Sequence, residues 1–200
     1  MNLKKAYFIV FLVLLVDQLS KIYIKTHFEL HDEVNVFSWF KILFIENEGM
    51  AWGAEIPGSY GKITLTLFRI IAVGGIGYWL WDAVKKQSSK VLIVAISLIL
   101  AGAFGNIIDS VFYGLIFDDS SYNVATIFSD KPYGTVFYGK VVDMFYFPII
   151  KDYPMPEWVP VIGGKPFTFF NAIFNVADFA ISVGVGILIV FNKRAFALKE

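Results

Sequence analysis

Asp17, Lys21, Arg69, Asp109 and Asp178 are charged side chains set inside long apolar stretches. A charge in the middle of a membrane-length segment costs about 3 kcal/mol or more, so each requires a partner or a task. Two carboxylates held close together cannot both ionise comfortably and share a proton: one activates water while the other protonates a leaving nitrogen. Other routes to amide hydrolysis are missing. The sequence has no cysteine, no Gly-x-Ser-x-Gly and no His-Glu-x-x-His, and its imidazoles, His27 and His31, lie four apart in the polar run HFELHD. That run reads as an interfacial loop and not as a metal pair, so no metal or other cofactor is expected. A carboxylate pair remains, although a site that only binds a ligand needs none of this chemistry.

The segments that carry these residues are membrane-spanning. Of 200 residues 57% are apolar, above the usual range for soluble chains. Four stretches, at about 6–24, 64–81, 91–113 and 169–191, approach the length of roughly 20 residues that a helix needs to cross a bilayer. The first begins like a secretory signal peptide, with Lys4 and Lys5 before AYFIVFLVLLV, but no small-x-small cleavage site follows and it reads as a retained span. With the N-terminus inside, segments 1–5, 82–90 and 192–200 hold eight Lys/Arg against two Asp/Glu, and outer segments 25–63 and 114–168 hold seven against twelve. Basic inner loops set topology, so both termini are expected in the cytoplasm. Seventeen basic residues balance seventeen acidic ones, which excludes a nucleic-acid partner. The fold expected is a mainly α membrane protein, residues 1–200 forming a single integral membrane domain. Residues 34–57 read as a strand-rich or amphipathic outer cap, and Pro132, Pro148, Pro154, Pro156, Pro160 and Pro166 break the second outer segment.

Spacing groups the polar residues. Lys21 follows Asp17 by one helical turn, so the two can pair within their own helix. Gly102, Gly105, Asn106 and Asp109 fall within about 100° of arc on the third span, where small residues let a neighbour approach. Asn171, Asn175 and Asp178 are expected to form a stripe about 60° wide on the fourth. Either stripe also suits plain hydrogen-bond glue between helices. Asp17, Asp109 and Asp178 all count to within about 14 Å of the outer ends of their spans, which makes one outer pocket under the cap. Asp143, flanked by apolar residues in GKVVDMF, can lie at the same surface.

These residues resemble those of the lipoprotein signal peptidases, or signal peptidase II, aspartyl proteases of the bacterial inner membrane. The matches are ordered along the chain: Asp17, Gln18 and Lys21; Asn47, Gly49, Ala51 and Gly53; Gly102, Gly105, Asn106 and Asp109; Val142 and Asp143; Phe174, Asn175, Ala177 and Asp178. The resemblance implies that Asp143 and Asp178 are a catalytic dyad near the periplasmic face. Asn47, Gly49, Asn106, Asp109 and Asn175, with Asp17 and Lys21, become the scaffold that orients substrate and dyad. It also implies a prolipoprotein substrate bearing a diacylglyceryl cysteine, cut on the N-terminal side of that cysteine, contact with membrane lipids, and inhibition by globomycin. Asn47 or Asn175 is expected to donate to the oxyanion. A small proton-coupled transporter or lipid-binding scaffold is the alternative.

The chain departs from the family in two places. Ser110 stands where the family has arginine after the third-span aspartate, and the outer segments on both sides of Asp143 are longer than in compact members. Arg69 is the expected replacement cation, paired with Asp109 or Asp17, unless it snorkels to the interface.

Overall fold

The computed structural model describes residues 1–49 and 60–197. The expected continuation of the cap to residue 57, with the matched Ala51 and Gly53, lies outside the described residues.

Among the described residues three helices are long and apolar enough to span a membrane: α1 (Leu3–Lys25), α2 (Gly61–Lys85) and α3 (Lys90–Ile108), the last prolonged by a π turn (Asp109–Tyr113) and α4 (Gly114–Ile116). Side chains start two of them. The Asn2 carboxamide accepts from Lys5 N at 3.0 Å and the Ser89 hydroxyl from Leu92 N at 3.1 Å, each occupying one of the N–H groups a helix start leaves free. Large apolar side chains point outward: Phe8, Phe11, Leu19, Phe68 and Ile71 are each more than half exposed. An aqueous surface does not tolerate such a belt, and a lipid one requires it.

α3 is the hub, packed against α1, α2 and α5 (Val176–Val190). Glycines permit the α3–α5 approach. A Cβ on Gly102 would collide with the Ala177 carbonyl, and one on Gly184 would come within 2.7 Å of Ile99 and 2.8 Å of the Ala95 oxygen. Small residues at a helix crossing let the backbones meet closely, as their spacing on the third span predicted. One apolar cluster, including Leu80, Ile93, Ile96 and Leu100, fills the end of the bundle that α6 (Asn192–Ala195) caps; a second, with Phe44, Tyr113, Phe117 and Met144, fills the end beneath the sheet.

The fourth predicted span, 169–191, is too long. Its first residues are extended: β5 (Pro166–Phe169) pairs with β4 (Ile150–Pro154), and β6 (Ile173–Phe174) joins the main sheet, so the helix starts at Val176. The run FTFFNAIF is apolar enough for a helix, but Phe and Ile suit a half-buried strand equally well, and Asn175 stops the strand by capping α5. Asn171, Asn175 and Asp178 therefore form no helical stripe.

The strand-rich cap is present and wider than expected. β1 (Glu33–Phe37), β2 (Phe40–Asn47), β3 (Val141–Tyr146) and β6 form one antiparallel sheet in that order. Its register sets Ile45 opposite Asp143, Asn47 opposite Val141 and Phe145 opposite Phe174. Residues separated by nearly a hundred positions are thereby brought under one roof.

Candidate active site

Asp17, Gln18 and Lys21 face the bundle interior from α1. Lys21 is fully buried, and its Nζ lies 3.0 Å from Asp17 Oδ2, 2.8 Å from Asp109 Oδ2 and 2.8 Å from Asn106 Oδ1. An ammonium has three hydrogens, and here it has three acceptors. Gln18 completes the layer by donating to Asp17 Oδ2 at 3.1 Å and Asp109 Oδ1 at 3.0 Å while accepting from the Tyr113 hydroxyl at 3.2 Å. Gly105 makes room: a Cβ there would sit 2.6 Å from Asp17 Oδ2.

These carboxylates also reach outward. Asp17 Oδ1 accepts from Ala177 N at 2.9 Å, and Asp109 Oδ2 from Val142 N at 3.4 Å. Ala177 and Val142 immediately precede Asp178 and Asp143. One buried cluster therefore fixes the backbones that carry both candidate catalytic residues.

Above it, Asn175 is the joint. As N-cap of α5 its Oδ1 accepts from Asp178 N at 2.9 Å, and Asp178 Oδ2 accepts from Asn175 N at 3.4 Å, a reciprocal capping box. The Asn175 amide nitrogen lies 2.7 Å from Asp143 Oδ1, 3.1 Å from the Val142 carbonyl and 3.2 Å from Asn106 Oδ1. Asn47 donates to Asp143 Oδ2, and Asn106 donates to Asp178 Oδ1 at 2.8 Å. Asn175 is fully buried with both amide hydrogens engaged, so it does not serve as the oxyanion donor expected of it. Asp143 and Asp178 share no direct hydrogen bond among the described residues. They meet through Asn175 and Asn106.

Both aspartates face a cavity of about 630 Å³ that Asn47, Gly49, Arg69 and Asn106 also line. Burial, and next the neighbouring Asp178 charge, push Asp143 up to about 8.

Arg69 corrects a second expectation. It pairs with neither Asp109 nor Asp17, whose carboxylates are held by Lys21 and Gln18. Depth counted along a helix says nothing of azimuth, and Arg69 lines the cavity beside Gly49 instead. Its Nη1 is buried without a hydrogen-bond partner among the described residues. Gly49, at φ +100°, presents bare backbone there, and a Cβ at that position would overlap Arg69 Nη1. Ser110 sits buried in the π turn with its hydroxyl donating to the Asn106 carbonyl at 2.9 Å.

The residues named from sequence thus separate into a closed layer (Asp17, Lys21, Asp109) and a cavity wall (Asn47, Gly49, Arg69, Asp143, Asp178), with Asn106 belonging to both and the buried Asn175 joining them from behind the wall. Sequence reasoning gave Gln18 no role, though a polar residue beside Asp17 in an apolar run was the available signal. It also passed over Glu46, which lines the cavity and pairs with the buried Lys25. His27, meanwhile, stacks on Tyr23 with ring centroids 4.3 Å apart.

Residues 9–193 match the family described as signal peptidase (SPase) II. A lipoprotein signal peptidase of Porphyromonas gingivalis is 46% identical over 192 residues, covering 95% of this chain and 83% of the relative. One of Amoebophilus asiaticus is 37% identical over 195 residues, covering 96% and 78%. A solved bacterial membrane enzyme, 24% identical, shares the fold with a TM-score of 0.65 over 99% of this chain and 93% of its own.

Proposed function

The chain belongs to the signal peptidase II family, and from that premise we propose that Asp143 and Asp178 are the dyad with which it cuts. It is a multi-pass membrane protease that removes signal peptides from lipoproteins. A water held between the two carboxyls loses a proton to Asp178 and attacks the scissile carbonyl carbon. Asp143, raised to about 8, is protonated at neutral pH and gives its proton to the leaving nitrogen as the C–N bond breaks. The products are a signal-peptide carboxylate and a free α-amine on the cysteine that carries the diacylglyceryl group. Arg69 is the donor for the substrate carbonyl, since its Nη1 has no other acceptor among the described residues.

The observation that carries this reading is the asymmetry of the pair. Both carboxylates open onto one cavity, yet Asp143 sits on a strand among apolar neighbours and Asp178 in the first turn of a helix. Different surroundings separate an acid from a base.

α5 completes a fourth span. Its 15 residues reach about 22 Å at the helical rise, short of a full crossing, because its first turn lies within the active site. Both termini are then cytoplasmic, the membrane is the bacterial inner membrane, and the cavity opens near the periplasmic face. The full residue range acts as one integral membrane domain. Globomycin is expected to occupy the cavity as an uncleavable mimic.

Cleavage of a peptide bearing a diacylglyceryl cysteine by the purified chain, with Asp143→Asn and Asp178→Asn as controls, tests the assignment. Substantial turnover by either variant would remove that residue from the dyad.

A further inference from the structure

A second cavity, about 370 Å³ and open to solvent, lies beside the first and takes no part in the chemistry above. Its walls include Glu48, Lys62, Asp119, Tyr133, Tyr138 and Lys140. The two cavities meet at the end of the β2–β3 ladder. Glu46, Asn47 and Val141 line the catalytic cavity, their chain neighbours Glu48 and Lys140 line the second, and Lys140 Nζ lies 3.7 Å from Glu46 Oε2. Asn47, the donor to Asp143, stands at the junction.

One wall is the long outer segment after α4, which is held firmly. Gly134 N donates to the Gly114 carbonyl at 2.9 Å, Phe137 N to Val111 at 3.1 Å and Gly139 N to Ser110 at 3.0 Å, filling carbonyls at the π turn and the helix end. Gly139 is required there, because a Cβ would collide with the Asp109 carbonyl. Ser120 ties the near end of the segment down by accepting from buried Lys25 at 2.7 Å. The wall is therefore tied to the helix beneath it.

We infer that this groove binds the polypeptide that follows the lipidated cysteine, and that the long outer segment exists to build it. The inference rests on the peptidase reading above. The signal peptide and the acyl chains stay in the bilayer, so the only part of the substrate bound for water is the chain beyond the cut. The groove runs from the Asp143 side of the cavity to Lys62, one residue inside the outer end of α2. Its lining suits a polar extended peptide and not an acyl chain: two lysines offset Glu48 and Asp119, with Lys62 paired to Glu48, and two tyrosines supply flat surface. Asp119 is held well below the usual carboxylate range by hydrogen bonds from Ser121, so it stays charged and available to a peptide N–H.

Two lipopeptides test this, identical through the diacylglyceryl cysteine and ending either there as an amide or six residues later. The full chain in detergent is expected to show a KM about fivefold lower for the longer one, roughly 1 kcal/mol of tail binding. Thr135→Trp, which fills the groove from an exposed position, and Tyr138→Ala should each remove that advantage while leaving KM and kcat for the short peptide as they are. Equal KM values for the two peptides in the unaltered protein would overturn the inference, as would variants that affect both substrates alike. Failure to cleave either peptide would instead overturn the peptidase reading, and this inference with it.

Discussion

The buried Asp17–Lys21–Asp109 layer and the Asp143–Asp178 cavity are made from the same materials, two aspartates, one cation and asparagine amides, and they behave oppositely. In the layer the cation touches both carboxylates and every donor is engaged; in the cavity the cation, Arg69, leaves a buried N–H without an acceptor among the described residues and the carboxylates face open volume. A buried pair whose hydrogen bonds are complete is inert and structural. The same groups left incomplete hold affinity for something that is not yet there. Degree of satisfaction, more than residue type, separates scaffold from site.

The comparison breaks most visibly if the two sides are exchanged by mutation. Asp178→Asn is expected to lower cleavage of a lipidated peptide by roughly 10³-fold or more, while the melting temperature in detergent stays near that of the parent, because the amide keeps the shape. Lys21→Met should do the reverse. Removing one member of a filled buried ion cluster costs about 3–5 kcal/mol, so the loss appears first as a large fall in thermal stability. A stable Lys21→Met protein with only its turnover impaired would place the ammonium in the chemistry.

Arg69→Ala sharpens the distinction within the cavity itself. A donor that acts on the developing oxyanion is worth about a hundredfold in kcat, and Arg69→Lys should recover part of it. Equal kcat in the parent and Arg69→Ala would leave Arg69 as a wall of the pocket and nothing more. Smaller still is the effect of pH. If Asp143 is the acid it must be protonated, and because it is raised to about 8, activity should fall as pH rises through that value. Rates measured across pH that continue to climb above 8 would contradict the assignment of the acid. Ser110→Arg, introducing the family's usual residue into a buried π turn, is expected to cost about 1–3 kcal/mol by overpacking and to restore no activity to Arg69→Ala, read by melting and by cleavage.

Local spacing carried much of this in the sequence. Asp17 and Lys21 one turn apart, and Gly102, Gly105, Asn106 and Asp109 on one helix face, are statements about a single helix, and the fold honours them because a helix has fixed phase. What escaped depends on partners far along the chain. Asn47 meets Asp143 only through strand pairing across nearly a hundred residues, and the extended lead-in from Phe169 to Phe174 has the composition of a span. Arg69 was matched by depth to Asp109 and Asp17 and pairs with neither, since helical rise fixes height and leaves rotation to packing.

The bonds from Asp17 to Ala177 and from Asn175 to Asp143 join the first helix, a middle strand and the last long helix. That wiring sets a schedule for biosynthesis. Until α5 docks, Asp143 lacks the Asn175 amide and Asp17 lacks the Ala177 N–H, although Asp17 already holds Lys21 within its own helix. If the two aspartates are the dyad, a nascent chain is expected to gain proteolytic capacity only when α5 docks.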